Sequence, residues 1–333
     1  MDNESITGNL LSVHNLHTQF ATFDGVVKAV SGVSFEIAPR QSLALVGETG
    51  CGKSVTAYSI LRLIYPPGKI TKGEVFFKGE NLLKKSDHEM SEIRGSKISM
   101  IFQEPMTSLN PVFTVGDQLV SVLMRHKKIN GEEALQHATK SIESVRISDP
   151  ERIVKQYPHE LSGGMRQRVL IAMALSLSPE LIICDEPTTY LDVTVQAQIL
   201  RLIKDLQVRL HASMLLITHN LGVVAHYCDT VAVMYAGSVV EIANVKTLFN
   251  DPKHPYVQGL LKAIPSTTKK AGRLESIPGS VPNLIHPPTG CKFHPRCPYV
   301  MPVCKKAAPQ LGSVGGQHNV ACYLHSNIAK KEE

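Results

Sequence analysis

Tryptophan is missing from the 333 residues, aromatic side chains reach only 5%, and no apolar run approaches the roughly 18–20 residues of a membrane-spanning helix. The chain is therefore not expected to cross a bilayer itself. Its first residues offer no positive segment followed by an apolar one, so no secretory signal is expected and cytoplasmic residence is the default. Internal repeats and low-complexity tracts are also missing. What is present is 43% hydrophobic residues, enough for a sizeable buried core, which excludes disorder as the main state.

The formal net charge of +6 is unevenly spread. Residues 262–333 hold ten Lys and Arg against three Asp and Glu, together with nine of the 20 prolines and four of the seven cysteines. That shift places a boundary near Ile264-Pro265 and divides the chain into a main domain, 1–262, and a Pro-rich, Cys-bearing appendage, 263–333.

Within the main domain, Leu10 to Phe20 and Val33 to Ile37 alternate apolar and polar residues as half-buried strands do, and read as an antiparallel lead-in. Ser42 to Val46 is almost wholly apolar, as a strand covered on both faces would be, and it runs into a Gly-rich loop. A helix is predicted from Lys53 to about Ile64, and short strands at Glu74 to Phe77 and Lys97 to Phe102. Residues 114–210 read as mostly helical, interrupted at Pro150 and Pro158 and by a buried strand, Leu181 to Cys184; another apolar strand, Ser213 to Ile217, ends at Thr218-His219. Such alternation predicts an α/β fold with a helix-covered, largely parallel sheet.

Gly47-Glu48-Thr49-Gly50-Cys51-Gly52-Lys53-Ser54 fits G-x-x-x-x-G-K-[ST] between a predicted strand and a helix start. Its glycines let backbone N–H groups curl toward phosphate oxygens, and the helix N-terminus adds partial positive charge. In this reading Lys53 reaches the β- and γ-phosphates and Ser54 binds Mg²⁺. Asp185 and Glu186 end the strand at 181–184, at the sheet edge where ligands of open α/β sheets bind. Asp185 is expected on Mg²⁺ and Glu186 on the attacking water. His219, at the end of the strand 213–217, can reach the transferring phosphate, and the Gln103 amide can serve both metal and water. Ser162, Gly163 and Gly164 open a further helix with a Ser cap and exposed N–H groups, a second anion site that makes sense if it completes a partner chain's nucleotide pocket.

With these motifs in this order, GETGCGKS, Gln103, LSGGMRQR, LIICDEP, Tyr190-Leu191-Asp192 and His219, the sequence resembles the ATP-binding subunits of ABC transporters across residues 10–250. The resemblance implies a P-loop NTPase fold with a mixed or parallel sheet core, an antiparallel β lead-in, a helical subdomain at about 104–178 and a small Cys-containing C-terminal domain. It implies a head-to-tail dimer in which ATP bound to one subunit's phosphate loop meets Ser162, Gly163, Gly164, Met165 and Asp192 of the other. Phe23 is where the family's adenine-stacking aromatic falls, with Phe20 as its rival. Met165 stands where the family most often has Gln, and Tyr190 where it usually has a small residue.

The stretches from Ile101 to Pro111, Asp192 to Gln198 and His254 to Leu260 resemble the peptide and nickel importer branch, above all the dipeptide and oligopeptide importer ATPase. That implies an ATPase at the cytoplasmic face of the membrane, paired with a second, related ATPase as a heterodimer beneath two membrane-spanning permease subunits fed by a binding protein, with no nucleic-acid partner. Import of nickel or another small solute is the alternative cargo. A soluble ABC ATPase acting on nucleic acid or ribosomes is the competing class, and this chain lacks the second ATPase unit or coiled coil typical of it. A metal-cluster redox protein that merely carries a nucleotide fold is the third.

Cys291, Cys297, Cys304 and Cys322 are spaced C-x5-C-x6-C-x17-C, wider than the pairs of zinc knuckles. An iron–sulfur cluster, zinc and unliganded thiols remain open uses of this set. The tail resembles that of peptide-importer ATPases holding a 4Fe–4S cluster, which implies these four cysteines as its ligands. Lys292, Arg296, Lys305 and Lys306 are candidates to offset thiolate and cluster charge, or else form a solvated basic face. Cys51, Cys184 and Cys228 read first as small apolar residues, and Cys51 alone, beside Lys53 and the loop amides, has reactivity as an alternative reading.

Overall fold

The computed structural model describes residues 8–104, 108–189, 191–263 and 277–325. The chain forms two compact units, Met1–Leu83 with Ile217–Glu333, and Lys84–Leu216.

The first unit opens with β1 (Leu11–Thr22), β2 (Gly25–Ile37), β3 (Ser42–Val46), β4 (Gly68–Phe77) and β5 (Glu80–Asn81). Four of these form an antiparallel sheet in the order β2-β1-β4-β5, with Leu11 opposite both Ile37 and Phe77. This is the expected lead-in, but β2 starts at Gly25 instead of Val33. Its early residues pair Ala21 with Val26 where the ribbon is mostly exposed, so no buried alternation marks them in the sequence. All five residues of β3 are buried, as its unbroken apolar run predicts. The helix after the Gly-rich loop, Lys53–Ile60, stops short of Ile64, because Arg62 turns to φ +52° and Pro66-Pro67 follows.

The second unit holds β6 (Ile98–Ile101) and β7 (Leu181–Asp185), parallel and wholly buried, with Ile98 opposite Leu181. Next to β7 in its sheet lies β8 (Ser213–Thr218), along which the chain returns to the first unit. Helices Asp87–Ile93, Val115–Lys127, Gly131–Ser144, Pro150–Ile153, Gly163–Leu175 and Val193–Arg209 make up most of the rest. Their starts are written in the sequence. Thr114 and Asp117 form a reciprocal capping box, and Asn130 caps through Glu133 N–H.

Back in the first unit, β9 (Thr230–Tyr235) runs parallel to β3, with Val46 opposite Val233, and turns at Ala236-Gly237 into the antiparallel β10 (Ser238–Asn244). No element is expected here from the sequence, although Val231 to Tyr235 is a buried apolar run. The tail adds a hairpin, β11 (Gly312–Gly315) and β12 (His318–Val320), whose β12 pairs with β10 through Glu241 and Val320. Among the described residues no helix is long and apolar enough to cross a membrane.

Glu241 stitches this junction together. Its side chain is 0% exposed, yet its carboxylate accepts the N–H groups of Lys253 (2.9 Å) and His254 (2.7 Å) and meets His318 Nε2 at 2.7 Å. A buried carboxylate is tolerated because every neighbour is a donor. Glu241→Leu leaves those donors buried without an acceptor and is expected to lower stability by about 3 kcal/mol, with Glu241→Gln milder. Urea unfolding of the full chain measures both; equal stability of the Leu variant and the parent would contradict this role.

Candidate nucleotide-binding site

The phosphate-loop residues lie where β3 feeds the helix Lys53–Ile60. Gly52 caps that helix at φ +101°, and a Cβ there would sit 2.3 Å from the Ala29 carbonyl oxygen, so no other residue fits. Being glycine, it offers the first-turn N–H groups no side-chain cap, as a helix start that takes an anion requires. Lys53 is buried, and its Nζ donates to the carbonyls of Gly47 (2.9 Å) and Glu48 (3.2 Å). The ammonium thus folds back over the loop, at the place from which it would reach a phosphate. Ser54 follows in the first helical turn.

Two residues hold this loop through contacts that the sequence does not announce. Tyr256 Oη accepts the Glu48 N–H at 3.1 Å, and the Glu48 carboxylate forms an ion pair with Arg296 at 3.0 Å. Tyr256 lies in the His254-Pro255-Tyr256 stretch of the helix Pro255–Lys262, and nothing in that short pattern points to a contact with a loop 208 residues away.

Cys51 takes the first of its two readings. Its side chain is fully buried, and burial pushes the thiol up from its ordinary value, with Lys53 opposing only in part. It is a packed thiol and not an activated one.

In the second unit, β7 ends in Asp185, which is buried, and Glu186, which is half-buried at φ +43°. A glutamate in the left-handed region is strained, and such strain gathers where geometry serves chemistry. One Glu186 carboxylate oxygen accepts from Gln103 Nε2 at 3.3 Å and from Thr189 Oγ1 at 3.0 Å. Gln103 and Glu186 are thereby brought together from β6 and β7, as a pair able to orient one water.

Ser162 caps the helix Gly163–Leu175, its Oγ accepting the Met165 N–H at 3.3 Å, while its own hydroxyl hydrogen stays available as a donor. Asp192 caps the helix Val193–Arg209 through Val195 N–H at 2.9 Å. Gln167, unremarked in the sequence, is buried in the Ser162-capped helix and donates to the Pro187 carbonyl at 2.7 Å, one residue beyond Glu186. Gln196 donates to Thr188 Oγ1 at 2.9 Å. The two capped helices and the segment after Glu186 therefore form one hydrogen-bonded block.

Ser54 and His219 belong to the first unit, and Gln103, Asp185, Glu186 and the Ser162 turn to the second. His219 is exposed at the end of β8, followed by Asn220, which caps the helix Leu221–Tyr227. Phe23 stands fully exposed between β1 and β2, whereas its rival Phe20 is paired in β1 and packs on Gly68. Tyr190 lies outside the described residues, as do Pro105 to Thr107 of the Ile101–Pro111 stretch.

The four tail cysteines line one cavity of about 10 Å³ together with Phe293, Met301 and Tyr323. Burial pushes the thiols of Cys291 and Cys297 up and that of Cys322 to about 11, with neighbouring cysteines adding to the effect. Among the described residues no group of three or more His, Cys, Asp or Glu is placed to hold a metal ion. The basic residues beside them do not all serve thiolate charge. Lys292 donates to Ala236 O and Ser238 Oγ, and Arg296 faces Glu48.

The chain is similar to known proteins over most of its length. The family described as ABC transporter matches residues 30–189, and the family described as the C-terminal region of oligopeptide/dipeptide transporters matches 240–304. The chain is 50% identical to a probable peptide ABC transporter ATP-binding protein, y4tR, of Sinorhizobium fredii, over 96% of either chain. It is also 50% identical to the dipeptide transport ATP-binding protein DppD of Bacillus subtilis, again over 96% of each. A dimeric, post-hydrolysis structure of the ATP-binding cassette MJ0796 bound to ADP and Pi superposes with a TM-score of 0.63 at 26% identity, covering 71% of this chain and 98% of that one.

The burial of Cys51 makes a chemical prediction. In the native protein at neutral pH, N-ethylmaleimide is expected to leave Cys51 unmodified over a period in which the urea-unfolded chain is labelled fully. Peptide mass spectrometry reads this out, and rapid native labelling of Cys51 would reverse the assignment.

Proposed function

The chain belongs to the family of ATP-binding subunits of peptide ABC transporters, and on that premise we propose that it binds and hydrolyses MgATP to power import of di- and oligopeptides across a membrane. The observation that carries the hydrolytic reading is Glu186, held at φ +43° at the end of β7 with its carboxylate fixed by Gln103 and Thr189. A carboxylate so oriented can polarise a water for in-line attack on a γ-phosphate. The loop 47–54 cradles the phosphates, and Lys53 exchanges its carbonyl partners for phosphate oxygens. Ser54, Asp185 and Gln103 are the residues that would hold Mg²⁺, which when bound neutralises charge developing between the β- and γ-phosphates. His219 is assigned to the γ-phosphate and Phe23 to the adenine face.

The Ser162, Gly163, Gly164, Met165 and Asp192 surface is assigned to the triphosphate of a second ATPase subunit, a related chain in a heterodimer. Two permease subunits and a substrate-binding protein complete the machine, which places this chain peripherally on the cytoplasmic face of the membrane. Support for peptide cargo over nickel or another solute comes from the transport roles given in the names of the relatives and from the matched C-terminal region.

The tail cysteines are proposed to hold a 4Fe–4S cluster, with zinc as the alternative. The support is their chemistry: four thiols from one short region line a single cavity with mostly apolar walls, and Gly290 at φ +69° allows the first of them to approach the Cys304 carbonyl. Because burial pushes the thiols of Cys291, Cys297 and Cys322 up, their ligation would release protons.

Two measurements test these readings. Glu186→Gln is expected to cut ATP turnover by about 10²–10³-fold while leaving ATP binding intact, and full residual turnover would defeat the hydrolytic assignment. Protein purified without oxygen is expected to contain roughly four iron and four sulfide per chain, lost together in a Cys297→Ser variant. A colourless protein carrying zinc alone removes the cluster.

A further inference from the structure

Arg296 is a cation from the tail set deep against the phosphate loop. Its side chain is 7% exposed, and each guanidinium N–H has an acceptor. Nε donates to Pro278 O (2.9 Å); one terminal nitrogen donates to Glu48 Oε2 (3.0 Å) and Tyr235 Oη (3.3 Å), and the other to Glu48 Oε1 (3.3 Å) and Ile277 O (3.3 Å). The pairing with Glu48 is therefore two-pronged, a geometry that fixes direction as well as distance. The guanidinium also lies 5.7 Å from the Tyr235 ring centroid.

Glu48 is the second residue of the phosphate loop, and it is held at three points. Its carboxylate meets Arg296, its N–H meets Tyr256 Oη, and its carbonyl receives Lys53 Nζ. The side chain that anchors Glu48 thus fixes the residue from which Lys53 hangs. On the other side, Arg296 immediately precedes Cys297, and the same turn carries Phe293, packed edge-on against Tyr235 at 5.2 Å and tilted against Tyr256 at 5.4 Å. The turn 291–297 and the loop 47–54 share this one wall of side chains.

We propose that Arg296 is a positioning residue for nucleotide binding, which holds Glu48 and through it the phosphate loop in binding-competent form, so that the cysteine-bearing turn 291–297 and nucleotide affinity are linked. The inference rests on the reading of 47–54 as a triphosphate site. Linkage is reciprocal: if the turn orders the loop, nucleotide on the loop orders the turn.

The test uses the full chain and its assembled transporter. Arg296→Met is expected to raise the ATP Kd and KM about tenfold with kcat within about twofold, and Arg296→Lys, which keeps charge but not the fork, to recover part of that loss. Glu48→Gln is expected to act in the same direction, and the double variant to be no worse than either single one, as partners in one interaction require. Hydrogen exchange at 291–297 is expected to slow when Mg²⁺ and a non-hydrolysable ATP analogue are added to the parent chain, and not in Arg296→Met. Additive effects, or an unchanged KM with only a lower melting temperature, would overturn the proposal. Lys53→Ala separates the two levels. Undiminished ATP binding by that variant removes the triphosphate site itself, whereas lost binding there with normal affinity in Arg296→Met removes the positioning role alone.

Discussion

A loop that offers its N–H groups to a polyanion cannot use them to hold itself in shape, so its conformation has to be imposed by its surroundings. Around residues 47–54 that constraint accounts for most of what is seen. The backbone enters from a strand buried on both faces, and it leaves through a glycine cap that a single methyl group would drive into the Ala29 carbonyl. Tyr256 and Arg296 grip Glu48, and Lys53 rests on the loop's own carbonyls. Each of these contacts uses carbonyls, side chains or the single Glu48 N–H, and none of them draws on the first-turn amides of the helix.

The second glycine turn meets the same constraint with a different device. At Ser162 the helix start is capped by a hydroxyl that accepts one N–H and still has a hydrogen to give. A turn of this kind is ordered before any ligand arrives. Gln167 extends that order to Pro187, so that the turn and the strained Glu186 belong to one hydrogen-bonded block. On the proposed reading, a displacement of the Ser162 turn on meeting a partner's phosphate would be felt one residue from Glu186, a physical route by which pairing would be coupled to hydrolysis.

Much of this was readable in the sequence because the signals are local. The phosphate loop declares itself by fixed spacing between an apolar run and a helix start, and Asp185-Glu186 by its place at a strand end. Capping residues Thr114, Asn130, Ser162 and Asp192 sit one residue before their helices, where short-range rules reach. The parts that escaped are those decided at long range. Tyr256, Gln167 and Arg296 look like an aromatic, an amide and a cation in ordinary surroundings until folding brings each to a carbonyl, amide or carboxylate elsewhere in its unit. The choice between the two readings of Cys51 was open in the sequence for the same reason. Lys53 and the loop amides are visible in sequence, but the desolvation that outweighs them is not. The helix end at Ile60 and the early start of β2 escaped because the first depends on a left-handed Arg62 and the second on an exposed ribbon without alternation.

The pairing of Glu48 with Arg296, 248 residues apart, bears on why a tail should be attached to such a domain at all. Burying one charge without its partner is costly, whereas a buried, fully hydrogen-bonded pair contributes little net stability but penalises any arrangement that separates it. The same holds for Glu241, whose carboxylate needs the His318 ring of the tail as well as two backbone donors from the main domain. His254, which supplies one of those N–H groups, is itself kept neutral, burial pushing it down to about 3, so its Nδ1 can accept the Tyr256 N–H and start the helix that carries Tyr256 to the loop. Two carboxylates in the main domain, Glu241 buried and Glu48 half-buried, thus each find a partner in the tail. A domain stabilised by packing alone could lose its appendage and keep its shape, but one whose phosphate loop and sheet edge each leave a carboxylate to be matched is committed to keeping the tail in register.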